Sequence, residues 1–103
     1  MILDLLEQAI REKRCLTALH KGMWRRFAPH AEGFTSKNVP AAFVFQYGGE
    51  TTSTLLFKGE WRCLHIEKLS HVAENGDRWR TQSNYCLRRQ TCLEQIALVV
   101  PEP

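Results

Sequence analysis

Residues 61–69 read Trp-Arg-Cys-Leu-His-Ile-Glu-Lys-Leu, and the fold that we predict is organised around this stretch. Its side chains alternate, so that Arg62, Leu64 and Ile66 point to the same side. The pattern predicts a strand that ends near Val72 and is covered on both faces. An arginine therefore shares the side that we expect to face inward, where a charge must be paired, hydrogen-bonded or in contact with a ligand.

The residues before this stretch predict one helix and three strands. A helix is predicted over residues 4–14, because apolar residues recur there at the spacing of one helical face, and its first residue resembles the start of a capping box. Strands are predicted at residues 15–20 and 24–35, and Pro29 requires a bend in the second of them. Residues 41–47 form a nearly continuous apolar run, which predicts a central strand covered on both faces.

The C-terminal side begins with a polar connector after the central strand. Its apolar residues Leu55, Leu56 and Phe57 need a covering surface and are candidates for an interface. Residues 77–90 allow either a loop or a short helix. A last strand is predicted near residues 92–100, where apolar residues alternate.

One helix followed by four or five short, bent strands predicts a mainly β fold, a small closed antiparallel β-barrel. Closure would protect the edges that such short strands expose. We expect residues 1–76 to hold the helix and the barrel. Residues 77–103 would form an extension packed on the barrel.

The composition is that of a small globular domain. The chain has 103 residues, of which 44% are hydrophobic and 24% charged, so a packed core is expected and wholesale disorder is not. A chain of this length is only marginally stabilised by its own core, and a homodimer is therefore a reasonable expectation. The formal charge of +3 is low for a dedicated nucleic-acid binder.

Sequence features predict a cytoplasmic protein with no membrane partner. The apolar runs are shorter than the roughly 20 residues that a transmembrane helix needs, and the N-terminal residues do not resemble a signal peptide. The four cysteines form no Cys-x-x-Cys pair. We therefore expect reduced thiols rather than a disulfide framework or a zinc site.

Positive charge is concentrated near the N-terminus, where six cations and one anion lie between residues 11 and 26. Arg11, Lys13, Arg14 and Lys21 could contact a phosphate backbone, which would make binding strongly salt-dependent. The alternative is a solvated positive face without a ligand.

The leading candidate for a binding site combines Arg25 and Arg62. Two guanidinium groups on neighbouring strands could hold one phosphate, because the donor fork matches its oxygens. His20, Arg26 and Tyr47 are expected nearby, with Tyr47 available to stack on a base. The alternative is that each arginine pairs with a local carboxylate, such as Glu32 or Glu67, and that the aromatic residues belong to the core.

Several segments, taken in order, resemble the WYL domain, a bacterial module with an Sm-like small barrel. The sequence Leu-Glu-Gln-Ala-Ile-Arg at residues 6–11 leads into the first strand. Residues 25–29 have the form Arg-x-hydrophobic-x-Pro, and the hydrophobic strand at residues 42–45 follows. Residues 62–69 have the form Arg-x-hydrophobic-x-hydrophobic-x-basic-hydrophobic. The resemblance covers residues 5–72.

The resemblance implies a regulatory domain that senses a ligand, often a nucleotide or a nucleic acid. Such domains usually accompany a DNA-binding helix-turn-helix, for which this sequence has no room, so a free-standing sensor is implied. The sequence departs from the family at two places. Phe-Val-Phe at residues 43–45 stands where the family has Trp-Tyr-Leu, and His20 stands where a tyrosine often ends the first strand.

No motif in the sequence points to catalysis or to a cofactor. The chain has no Gly-x-Ser-x-Gly, no His-Glu-x-x-His and no phosphate-binding glycine loop, and its His and Cys spacings match no zinc module. We therefore expect no enzyme. Two hypotheses follow: a regulatory domain that binds a nucleotide or single-stranded nucleic acid, or a protein-interaction module, such as a homodimeric barrel, without a ligand of its own.

Overall fold

The computed structural model describes residues 1–49, 59–82 and 85–101. Within these residues, one α-helix and six strands follow each other along the chain. In order they are α1 (Ile2–Glu12), β1 (Leu16–His20), β2 (Met23–Phe34), β3 (Pro40–Gly49), β4 (Glu60–His65), a 3₁₀ helix (Ile66–Lys68), β5 (Leu69–Glu74) and β6 (Gln95–Val99). The prediction of a mainly β protein with one N-terminal helix is confirmed.

The six strands form one antiparallel sheet in the order β4-β3-β2-β1-β5, and β6 lies beside β2. Strand β2 is long enough to hold two neighbours on one edge, β1 over residues 23–27 and β6 over residues 31–34. Its pairing with β3 shifts register between Pro29 and Ala31. Proline cannot donate to the ladder, so the irregularity predicted at Pro29 corresponds to this register shift within a continuous strand.

The helix packs on one face of the sheet through three buried residues, Leu6, Ala9 and Ile10. They join Phe27 and Val44 in the larger of two core clusters. The opposite face carries the smaller cluster, which consists of Ala31, Ala41, Phe43, Cys92 and Leu93. Strand β3 is buried from residue 41 to 46, so the prediction of a strand covered on both faces is confirmed.

Helix α1 starts two residues earlier than predicted, and the predicted capping box is wrong. Met1 occupies the N-cap position and makes no side-chain cap bond, while Asp4 lies inside the first turn. An acidic residue there still interacts favourably with the helix dipole. The helix ends at Lys13, which adopts a left-handed conformation with φ 55°.

The single strand predicted from residue 61 to Val72 is wrong: the chain forms β4 and β5 with the 3₁₀ helix Ile66–Lys68 between them. The alternation holds only as far as His65. The physical reason is tertiary, because β4 pairs with β3 whereas β5 pairs with β1, at the other end of the sheet. The chain must therefore turn sharply between them.

The predicted closed barrel is not confirmed, since β4 and β5 end the strand order and do not pair with each other in the described residues. Strand β6 lies within the last strand predicted near residues 92–100. The described parts of residues 77–90 form a loop rather than a helix. None of the helices in the described residues is long and apolar enough to span a membrane.

The prediction of reduced cysteines is wrong for one pair. Cys63 in β4 and Cys92 form a disulfide with a Cα–Cα distance of 5.3 Å, whereas Cys15 and Cys86 are free thiols. The bond joins residues that are 29 positions apart, so it forms only because the segment before β6 returns to lie beside β4. Spacing along the sequence cannot reveal such proximity. A disulfide is also less common in a cytoplasmic protein, and the cytoplasmic location stays a prediction.

Candidate anion-binding site

The sheet face that packs on α1 changes from apolar to polar at one end. Phe27 and Leu64 lie in the core, and Arg25 and Arg62, each two residues earlier, continue the same face of their strands. Gln46 continues that face in β3 and is completely buried. The alternation of β4 thus placed Arg62 on the inward side, as the sequence predicts.

Arg25 is a buried cation that has a neutral partner. Only 6% of the residue is exposed, and its Nη1 donates a hydrogen bond of 2.9 Å to Oε1 of Gln46. Its Nε is buried without a hydrogen-bond partner. Burial, and next the positive charge of Arg62, lower the pKa of Arg25.

Arg62 is half-buried and forms an ion pair of 2.5 Å with Glu60, its neighbour on the same face of β4. The alternative of a local carboxylate partner therefore holds for Arg62, although with a different glutamate from those expected. Arg25 has no carboxylate partner in the described residues, since its hydrogen bond goes to the amide of Gln46. Counting only the residues that the structure describes, the site consequently carries more positive than negative charge.

His20, the last residue of β1, adds a third nitrogen-bearing side chain to this end of the sheet. It is 4% exposed, and neither ring nitrogen has a hydrogen-bond partner. Burial first, and then the positive charges of Arg25, Lys21, His65 and Lys68 in that order, together lower the pKa of His20 to about 4. The imidazole is therefore neutral near pH 7, within a strongly electropositive environment.

His20, Arg25 and Arg62, which we call the cationic cluster, have the chemistry of an anion site. A buried guanidinium without a carboxylate is unfavourable, because the desolvated charge is not compensated. A phosphate or sulfate would supply that compensation and would accept hydrogen bonds from the Arg25 Nε and the His20 ring. Among the described residues, the cluster thus offers positive charge and buried hydrogen-bond donors that match an anion.

Two residues predicted for this site belong elsewhere, and their assignment is corrected here. Arg26 points to the other side of β2 from Arg25 and forms a 2.6 Å ion pair with Asp77. The hydroxyl of Tyr47 donates a 2.6 Å hydrogen bond to the same carboxylate, and the side-chain amide of Asn75 donates one to Tyr47. Both residues attach the loop after β5 to the sheet, and neither partners Arg25.

The predicted phosphate-backbone residues lie at two places in the fold. Arg11, Lys13 and Arg14 lie at the C-terminal end of α1, whereas Lys21 lies in the turn after β1. Five residues of strand separate the two places, roughly 16 Å. Arg14 also pairs with Glu12 at 3.6 Å. Lys21 belongs with the cationic cluster, as its effect on His20 indicates.

The interface candidates Leu55, Leu56 and Phe57 lie outside the described residues. Among the residues described, no group of three His, Cys, Asp or Glu side chains could hold a metal ion.

Sequence reasoning missed an aromatic cluster on the opposite face of the sheet. Trp61 stacks on Phe43 with ring centroids 4.9 Å apart and on Tyr85 at 5.3 Å. His30 contacts the rings of Trp61, Trp79 and Tyr85 at 4.8 to 5.0 Å. The residues are scattered along the chain, and only the alternation of β3 and β4 pointed to a shared face.

A cavity of about 610 Å³ lies beside this aromatic cluster. Phe43, Trp61 and Tyr85 line it together with Arg62 and the disulfide. Its walls are β4 on one side and residues 85–92 on the other. No sequence signal located it, because it depends on the return of the chain to β4 after the loop.

Comparison with the models of known protein families, with curated proteins and with solved structures gave no match to this chain.

Proposed function

We propose that this domain binds an anionic ligand, a nucleotide or a single-stranded nucleic acid, at the cationic cluster, and that it senses the ligand without transforming it. The observation that carries the proposal is Arg25, which is only 6% exposed and whose charge is paired with no carboxylate among the described residues. A buried charge without an opposite charge nearby destabilises the folded state, so its presence indicates that the charge has a function.

The hydrogen-bonding capacity of the cluster supports the same proposal. The Arg25 Nε and both His20 ring nitrogens are buried without partners. Most buried polar atoms in proteins are hydrogen-bonded, so unsatisfied atoms at one place indicate a site that is completed by another molecule. Donors predominate here, and an oxyanion accepts hydrogen bonds from several of them at once.

We further propose that the domain is a barrel-like, Sm-like module of the WYL type. Strands β4 and β5 would lie about 19 Å apart in a flat sheet with this strand order. The 3₁₀ helix Ile66–Lys68 that joins them advances the chain by roughly 2 Å per residue, so it spans less than half of that distance. The sheet must therefore curl until its two ends approach each other, which supports a barrel.

A nucleotide-sensing role without catalysis follows from the WYL resemblance and is part of the proposal.

The experiment that tests the proposal is titration of the purified chain with fluorescently labelled single-stranded DNA and with ATP at several salt concentrations. We expect binding that weakens as salt rises, because phosphate contacts release counterions. Arg25→Met should weaken binding at least tenfold. Arg78→Gln, which removes an equal charge from an exposed position, should leave it within about twofold. Equal affinities for all three proteins would contradict the proposal.

A second candidate function, self-association, is favoured by the surface at β6. Phe34, Ile96 and Val99 are large apolar residues that are 36 to 45% exposed, and all three lie in the β2–β6 pair. A second copy could pair with β6 and cover them. Size-exclusion mass separates the two functions, since an apolar interface holds or tightens as salt rises whereas phosphate binding weakens.

A further inference from the structure

The cavity beside β4 brings three of the four cysteines to one place. Cys63 and Cys92 line it as the disulfide, and Cys86 lines it as a free, half-buried thiol. The disulfide connects the two walls, because Cys63 belongs to β4 and Cys92 to the opposite segment. The intact disulfide thus limits how far the two walls can separate, and with it the access to the cavity.

The two cysteine residues of the disulfide differ in exposure. Cys63 is exposed on β4, which is an end strand of the sheet, whereas Cys92 is 8% exposed and belongs to the smaller core cluster. A thiolate that attacks a disulfide must reach one sulfur and expel the other. The exposed side of this bond is Cys63, so Cys92 would be the leaving thiolate.

The positive charge of the cavity favours an anionic thiol as the attacking molecule. Arg62 and Arg89 line it, and no acidic residue is among its described lining residues. Part of the charge of Arg62 is neutralised by Glu60, but Arg89 is exposed to solvent. Cations attract an anionic thiol and stabilise the thiolates on which exchange depends.

We propose that this cavity is a thiol–disulfide exchange site for a small anionic thiol, which opens the Cys63–Cys92 bond by attack on Cys63. In the first step the thiolate sulfur bonds to Sγ of Cys63, the Sγ–Sγ bond breaks, and its electron pair leaves on Cys92 as a thiolate. In the second step another molecule of the same thiol attacks the mixed disulfide. The small thiol is released as its own disulfide, and Cys63 becomes a thiolate. Two small thiols are oxidised by two electrons, and the protein disulfide is reduced by two.

Opening the bond separates the two walls of the cavity. The disulfide joins β4 to the segment before β6 across a sequence separation of 29. Without it, residues 85–92 lose their covalent link to β4, and Cys86 becomes more accessible. The inference does not depend on anion binding at Arg25 and His20, although Arg62 belongs to the cationic cluster and also lines this cavity.

The test uses the full chain with its disulfide formed. The protein is incubated with millimolar glutathione, which is anionic, with neutral 2-mercaptoethanol or with cationic cysteamine, then quenched in acid and mapped by mass spectrometry. Each rate is divided by the rate of the same thiol with an unstructured peptide disulfide, so that intrinsic reactivity cancels. We expect an adduct on Cys63 with Cys92 free, a normalised rate that is highest for glutathione, and faster alkylation of Cys86 once the bond is open.

Two variants separate a built site from an exposed bond. Arg89→Gln should reduce the glutathione rate severalfold and leave the 2-mercaptoethanol rate unchanged, whereas the control Arg78→Gln should change neither. Three results would overturn the inference. The first is an adduct on Cys92, and the second is equal normalised rates for the three thiols. The third is that Cys63 and Cys92 are still reduced thiols after the protein has been purified in air. Failure of the phosphate titrations would leave these outcomes unaffected.

Discussion

The carboxyl group of Glu32 in β2 is hydrogen-bonded to the carboxyl group of Glu7 in α1. A hydrogen bond between two carboxyl groups requires a proton on one of them. Burial of Glu32, the hydrogen bond and the charge of Glu7 together raise the pKa of Glu32 to about 7, against a weaker opposing effect of Arg11. The contact between α1 and β2 therefore includes a carboxyl proton that is lost only as the pH approaches neutrality.

Replacement of Glu32 by glutamine should make the protein less sensitive to rising pH. Between pH 4.5, the ordinary pKa, and about 7, folded Glu32 keeps a proton that the unfolded chain has lost, so the free energy of unfolding falls as pH rises through this window. Glutamine is neutral throughout. Its advantage over wild type should grow by on the order of 2 kcal/mol across the window. Urea unfolding at several pH values measures this difference, and parallel curves for both proteins would contradict it.

The loop after β5 should depend more on Tyr47 than on Arg26, although both contact Asp77. The Tyr47 hydroxyl is partly buried and bonded to Asp77 and Asn75, so Tyr47→Phe should lower the free energy of unfolding by about 1–2 kcal/mol. Arg26 is half-exposed, and Arg26→Gln should cost less than about 1 kcal/mol. Urea unfolding and hydrogen exchange of residues 75–81 measure both effects. A larger loss for Arg26→Gln would reverse this ranking.

Periodic patterns predicted the faces of the strands, and tertiary pairing decided the rest. Arg62 could be placed on the inward side because alternation with Leu64 is local. The break at Ile66 could not be foreseen, since it exists only because β5 pairs with β1. The same limit explains the disulfide, which requires residue 92 to return to β4.

The site itself was predictable only in part, for the same reason. Arg25 and Arg62 were expected together; they share one face of the sheet, and the charge of Arg62 lowers the pKa of Arg25. Tyr47 was misassigned because its partner, Asp77, follows a strand that the sequence did not separate. The Glu7–Glu32 pair forms only because α1 packs against β2, and helical periodicity does not predict which strand a helix contacts.

Binding of sulfate should tighten as pH falls below neutral. The pKa of His20 is lowered to about 4 from its ordinary value of 6.5, by burial first and then by the cations around it. A bound dianion offsets those charges and raises this pKa, so a proton is taken up with the ligand between pH 6.5 and 4. Sulfate is suitable because it does not titrate in this range.

Calorimetry in two buffers of different ionisation enthalpy measures that proton uptake. His20→Asn should abolish the uptake, whereas His71→Asn, at an exposed histidine, should leave it unchanged. Uptake that persists in His20→Asn would assign the proton to another group.

Loss of the Arg25 charge should weaken binding without unfolding the protein. Methionine has a similar length and no charge, and replacement of a buried charge by an apolar side chain is often neutral or stabilising. Arg25→Met leaves the Gln46 oxygen without this donor, which offsets part of the gain. We therefore expect a free energy of unfolding within about 1 kcal/mol of wild type, or above it, together with at least tenfold weaker binding of sulfate and oligonucleotides. Arg25→Lys keeps the charge but loses the donor fork, and its affinity should fall between the two. A loss of several kcal/mol in Arg25→Met would instead make the guanidinium a structural group, and the cationic cluster would no longer indicate a ligand.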